Sequence, residues 1–196
     1  MSITQQMTVE ERNAWFENLP RQEKRIQLAK DLLEQLAAEQ LSVNGGSYLN
    51  VTMTDELIED LPNLSTQQLF QKAACAVCAK GALLFARVTN YNNYQHILDS
   101  DDQYQLATYK RLSLDNQDVQ TALDGIFTPF ELDLIEAAFE GSSGLSLNAK
   151  TDDEVLLLEL AANMFREVSY RNSLVQIAKN IIDNGGNFVV PGFHRP

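Results

Sequence analysis

The sequence predicts a mainly α protein, a single globular domain of six or seven helices, with room for one small two-stranded β-ribbon. Three observations carry this. Apolar residues recur at helical spacing over long windows, as in "RQEKRIQLAKDLLEQLAAEQL". Thr8 with Glu11, Ser65 with Gln68 and Thr128 with Glu131 are spaced as helix-starting capping boxes. Extended character is confined to two short runs, each after an Asn-Gly-Gly.

The first helix follows Thr8 and closes at Pro20, with Trp15, Phe16 and Leu19 on its apolar side. In the second, Ile26, Leu28, Ala29, Leu32, Leu33, Leu36 and Ala37 form the inner face. Lys24, Arg25, Lys30, Asp31, Glu34 and Gln35 are expected on the opposite, solvated face. Asn44-Gly45-Gly46 ends it, and Tyr48 to Met53 reads as extended. "LVQIAKNIIDNGGNFVVPGF" repeats this pattern at the far end of the chain. Pairing of the Tyr48–Met53 and Phe188–Val190 runs is the expected ribbon, because a lone strand leaves its backbone groups unsatisfied.

A central helix is predicted from Ser65 to about Val88, and a short helix around Tyr94–Leu98. "DNQDVQTALDGIF" reads as a helix ending near Gly125, and Pro129 sits at the first position of the next. In that helix Phe130, Leu132, Ile135 and Phe139 are expected inside, with Asp133, Glu136 and Glu140 facing water. Beyond the loop "SSGLSLNAKT", a long helix from Thr151 or Asp152 is apolar nearly all round at Val155–Ala162, the pattern of a buried central helix. A last helix follows, then a tail over 187–196.

The chain has 196 residues and a net charge of −12. The stretch Asp99–Glu159 holds fourteen acids against Lys110, Arg111 and Lys150, and with them nearly all of the excess. Nucleic-acid binding needs cations to neutralise phosphates, so this balance argues against it. An acidic face can instead attract a basic protein, although solvation alone also explains one. No apolar run approaches the roughly 20 residues that cross a bilayer, and the first residues lack a secretory pattern. Two cysteines form no disulfide framework. A cytoplasmic protein without a membrane span is the expectation.

Cys75 and Cys78 admit three readings. A redox pair needs a thiol pKa lowered at a helix N-terminus, whereas the predicted helix has already run about two turns before Cys75. A metal site would use Cys75, Cys78 and His96, with His194 far along the chain as a fourth ligand. Packing is the favoured reading: Ala74, Cys75, Cys78, Ala79, Gly81, Ala82 and Ala86 are all small and let a neighbouring helix approach.

No phosphate loop or nucleophile elbow occurs, and no residue is assigned a catalytic role or a cofactor. Arg87, Arg166, Tyr170 and Arg171 are the candidates for holding an anionic ligand such as a nucleotide. Asp133, Glu136 and Glu140 are the candidates for contacting a basic partner.

The phrases "RIQLAKDLLEQLAAEQLSVNGGSYL", "CAVCAKGALLFARV", "FTPFELDLIEAAFE" and "LVQIAKNIIDNGGNFVVP", in this order over Arg25 to Pro191, resemble a group of small bacterial and phage proteins. The resemblance implies a bacterial or viral cytosolic setting and an accessory product acting on host machinery. It carries no activity, cofactor or site residue. The expected function is therefore a non-enzymatic protein that binds a host protein through an acidic helical surface. An oligomeric small-molecule or nucleotide-binding module and a metal-dependent protein using the cysteine pair are the alternatives.

Overall fold

The computed structural model describes residues 7–46, 48–91, 109–114, 116–142 and 148–193. The short helix expected at Tyr94–Leu98, His96, His194 and most of the "SSGLSL" loop lie outside them. Among the described residues the chain forms nine α-helices and four short strands. In order these are α1 (Val9–Glu17), α2 (Arg21–Ala37), β1 (Ser42–Val43), β2 (Leu49–Thr52), α3 (Asp55–Asp60), α4 (Thr66–Lys72), β3 (Ala74–Val77) and α5 (Ala79–Tyr91). They continue with β4 (Arg111–Leu114), α6 (Asn116–Leu123), α7 (Pro129–Glu140), α8 (Asp152–Asn163) and α9 (Tyr170–Asp183). The mainly α reading holds. The larger helix number comes from breaks in predicted long helices and from α3.

The predicted capping boxes are all formed: Thr8, Ser65 and Thr128 each accept the N–H three residues on, and Glu11, Gln68 and Glu131 reach back. Thr151 and Glu154 do the same for α8. Each replaces orphan amide partners at a helix start, where loss of the cap costs about 1 kcal/mol.

The central helix predicted from Ser65 to Val88 is three elements. α4 stops at Lys72, β3 follows, and α5 restarts after Cys78, whose carbonyl accepts the first helical bond from Ala82 N at 2.9 Å. Alanine favours helix, but that preference is a fraction of a kcal/mol per residue, and sheet pairing on both edges outweighs it here. β3 lies inside a sheet of order β1-β3-β2-β4, parallel to β1 and antiparallel to β2. The register opposes Val51 to Cys75 and Leu112, and Leu49 to Val77 and Leu114. With side chains alternating at period two, these six residues, all buried, line one face of the sheet.

The expected ribbon is also replaced. β2 pairs with β3 and β4, while Phe188–Val190 forms no strand. The side-chain amide of Asn180 on α9 takes the strand's place: its Nδ2 donates to Val189 O at 2.9 Å and its Oδ1 accepts from Val189 N at 2.8 Å. Both backbone groups of Val189 are thereby satisfied.

α5 is the central helix, with every residue except Asn90 buried. α1, α2, α4, α6 and α7 pack on it, and α9 lies against α2 and α7. Since α2 is held between α5 and α9, its expected solvent face is partly internal: Arg25, Asp31 and Gln35 are buried. α8, expected at the centre of the domain, packs on α7 from outside and leaves Val155 and Leu156 exposed. One close approach fixes the start of α5. The carbonyl of Tyr48 receives the Cys78 N–H at 3.2 Å and lies where a β-carbon on Gly81 would be, 1.5 Å away. Only glycine fits there.

Candidate functional site

The cysteine segment is structural in its surroundings. Cys75 is buried on the inner face of the sheet, its Sγ 3.7 Å from Phe70 O. Burial pushes its thiol up to about 12. Cys78 caps α5, a position where the helix dipole ordinarily lowers a thiol pKa. Burial and the adjacent Glu136 carboxylate raise it instead, and its Sγ donates to Glu136 Oε2 at 3.4 Å. The two residues therefore do not share the face of one helix, as the spacing predicts; one belongs to a strand and the other to a helix start. Burial thus favours the protonated thiol at both positions, whereas the thiolate is the form that binds zinc or exchanges disulfides. Among the described residues no group of three or more His, Cys, Asp or Glu side chains is placed to hold a metal ion.

Asp133, Glu136 and Glu140, expected to face water, turn toward the protein. Asp133 pairs with Lys80 at 2.9 Å and accepts from Asn148 Nδ2 at 2.7 Å. Lys80, only 3% exposed, also lies 5.5 Å over the Tyr48 ring. Burial raises the Glu136 pKa, opposed by Lys80. Glu140 Oε1 accepts the Gly46 N–H at 2.8 Å and so ties down the Asn-Gly-Gly turn. These carboxylates face the sheet and α5 because Lys80, Cys78 and Gly46 offer charge and donors there, while α8 covers another side of α7.

Three of the four anion candidates are engaged with different elements, and the fourth is exposed. Arg87 is buried on α5, paired with Glu17 of α1, with its guanidinium 4.4 Å over Phe16 and 5.7 Å over Tyr91. Its Nε and Nη1 make no hydrogen bond among the described residues. Arg171 donates to Leu36 O and closes the C-terminal end of α2. Tyr170 stacks on Phe139 at 5.0 Å, with its hydroxyl edge against Gly45. Arg166 is exposed beyond α8. The fold does not gather them around one ligand.

What the surface does present is one face of α8. Asp152, Val155, Leu156, Glu159 and Asn163 are all exposed, and their spacing of three, four, seven and eleven residues from Asp152 puts them on one side of the helix. Val155 and Leu156 are 48% and 47% exposed. The opposite side, Leu158, Ala161 and Ala162, is buried. No lysine or arginine occurs between Thr151 and Phe165. Two adjacent apolar side chains thus sit between carboxylates without a cation of their own helix nearby. The sequence carries the signal: Val155–Leu158 places four apolar residues in a row, more than one buried face of a helix absorbs.

Among the described residues no helix is long and apolar enough to cross a membrane. No family model matches the chain. Neither a curated protein nor a solved structure matches it. By fold and surface the chain is a mainly α protein that presents an acidic, partly apolar helix face.

Proposed function

We propose that this is a binding protein, without catalytic function, whose α8 face receives a cationic amphipathic helix of another protein. The observation that carries the reading is the pair Val155 and Leu156, half exposed between Asp152 and Glu159. An apolar stripe gives a partner helix something to bury, in the manner of an amphipathic helix laid in a groove. The carboxylates favour Lys and Arg along its flanks and speed encounter. This reading moves the acidic helical surface anticipated on α7 to α8. In line with the resemblance to small bacterial and phage proteins, the partner is a host protein and the setting is the cytoplasm.

Titration with a labelled amphipathic peptide of lysine and leucine, against a scrambled peptide of the same composition, tests this. The helical peptide should bind saturably and more weakly at higher salt. Paired changes Val155→Ser with Leu156→Ser, or Asp152→Lys with Glu159→Lys, should each lower affinity at least about tenfold. Equal binding of both peptides, or indifference to both double variants, refutes the proposal. Light scattering in the absence of peptide reads the rival outcome, in which a second copy of the chain covers the face.

A further inference from the structure

We propose that Asn44–Gly45 is a site of spontaneous covalent modification, where the side-chain amide converts to a carboxylate, and that the fold protects the second such pair, Asn184–Gly185. The Asn-Gly dipeptide occurs at these two places only, each time within an Asn-Gly-Gly. The chemistry is intramolecular and needs only water. The Gly nitrogen attacks Cγ of the preceding Asn, a new N–Cγ bond closes a five-membered imide, and the Cγ–Nδ2 bond breaks. Ammonia leaves with the hydrogen displaced from the Gly nitrogen. Water then opens the imide at one of its two carbonyls, giving aspartate or isoaspartate. Glycine favours the step because no β-carbon hinders its nitrogen, and asparagine is accordingly among the thermolabile residues.

The two pairs differ in what holds their reacting atoms. Asn44 is exposed in the turn between β1 and β2. Its backbone N–H donates to Val77 O at 2.9 Å, and the Gly46 N–H donates to Glu140 Oε1 at 2.8 Å. The chain is thus pinned on both sides of the dipeptide. Between these anchors, neither the Asn44 side-chain amide nor the Gly45 N–H makes a hydrogen bond among the described residues. Ring closure there costs the reacting groups no bond. Glu140 Oε2 lies 2.8 Å from where a β-carbon on Gly45 would stand, so the product carboxylate forms on the turn that Glu140 holds.

Asn184, by contrast, is built into the cap of α9. Its Nδ2 donates to Asn180 O at 2.8 Å, and the Gly185 N–H donates to Ile182 O at 3.2 Å. The leaving nitrogen and the attacking nitrogen are therefore both engaged. The Asn184 ψ of 28° also holds the Gly185 nitrogen on the far side of the Cα–C bond from the side chain. Turning that bond pulls on Gly186, whose N–H donates to Ile181 O at 2.8 Å. Gly186 is packed so closely on α2 that a β-carbon there would lie 2.6 Å from Gln22 O. At least two hydrogen bonds must open before the imide can close, which slows the reaction at least about tenfold relative to an unheld pair.

The test is peptide mapping by mass spectrometry of the full chain kept in warm, mildly alkaline buffer, native and in urea. In urea the two sites should convert at similar rates, since both are Asn-Gly-Gly, and this arm sets the time over which the reaction runs. In the native protein Asn44 should convert within about tenfold of its rate in urea and at least about tenfold faster than Asn184. Ion exchange should resolve the product as a species with one more negative charge. Asn44→Gln, an exposed change that enlarges the ring to be closed, should remove most of that species. Native Asn184 converting as fast as Asn44, an intact native Asn44 while the denatured chain converts, or an acidic species undiminished in Asn44→Gln overturns the proposal.

Discussion

Asp31→Asn should stabilise the protein near neutral pH and lose that advantage in acid. Asp31 is buried in α2, 8% exposed. Its Oδ2 accepts from the Tyr91 hydroxyl at 2.5 Å and its Oδ1 from Gln27 Nε2 at 2.8 Å. Burial lifts the carboxyl from 3.8 to about 6, against the lowering effect of the Tyr91 and Gln27 hydrogen bonds; Glu34 adds a smaller rise and Arg12 a smaller fall. The sign follows from linkage. Between pH 3.8 and about 6 the folded state binds more protons than the unfolded state, so this group's contribution to stability falls as pH rises. Moving the carboxyl from 3.8 to about 6 corresponds to about 3 kcal/mol lost by pH 7. Asparagine keeps an oxygen for Tyr91, and its amide nitrogen can donate to Gln27 once that side-chain amide turns over. Urea denaturation of both proteins at several pH values measures the difference directly. The variant should gain up to about 3 kcal/mol at pH 7, or about 6–12 °C in Tm for a chain of this size, and little near pH 3. Many carboxylates titrate in this window, so the difference between the two proteins is the quantity to follow. A difference that does not change with pH, or that favours Asp31 at pH 7, refutes the assignment.

Three further outcomes follow from the packing. Gly81→Ala places a β-carbon 1.5 Å from Tyr48 O and should cost about 3 kcal/mol or prevent folding, read by thermal or urea unfolding. Cys75 and Cys78, buried with raised thiol pKa values, should resist a thiol-reactive disulfide reagent at about pH 8 in the native protein and both react in denaturant; rapid native labelling would contradict their placement. Glu39→Gly relieves a left-handed backbone at φ 54° and should add about 1 kcal/mol in the same unfolding assay.

The helices that sequence reveals are those whose determinants are local. Thr8 and Glu11, Ser65 and Gln68, and Thr128 and Glu131 each satisfy a helix start from within four residues, so their spacing is enough to place it. β3 has no such mark. Ala74-Cys75-Ala76-Val77 is extended because β1 and β2 lie beside it, and those partners are distant in the chain. The face of a helix is likewise set by what packs there. Arg25, Asp31 and Gln35 look like solvent residues by period, yet α2 has neighbours on two sides and their polar atoms find Glu131, Tyr91 and Thr89. α8 errs the other way: its continuous apolar run suggests a centre, but only Leu158, Ala161 and Ala162 are buried. The run Val155–Leu158 signals more apolar surface than one helix face buries, but which of its members stay exposed depends on the helix that packs against α8.

The location of the buried cations explains why a basic partner would read α8 rather than α7. Arg25, Lys80 and Arg87 are each almost wholly enclosed and meet Glu131, Asp133 and Glu17 from other helices. Two of those carboxylates belong to α7, which thereby receives Arg25 of α2 and Lys80 of α5. Such pairs are weak evidence for net stability, but removing one member strands the other and costs about 3–5 kcal/mol. They bind the choice of neighbour: α7 must lie where both cations can reach it. Glu131 and Asp133 of α7 are consequently paired with cations of other helices and contribute little to the field outside. Asp152 and Glu159 on α8 are exposed beside Val155 and Leu156. Charge that is already neutralised cannot steer an approaching cation, and charge beside bare apolar surface can do so while the apolar side chains bury their share of the partner.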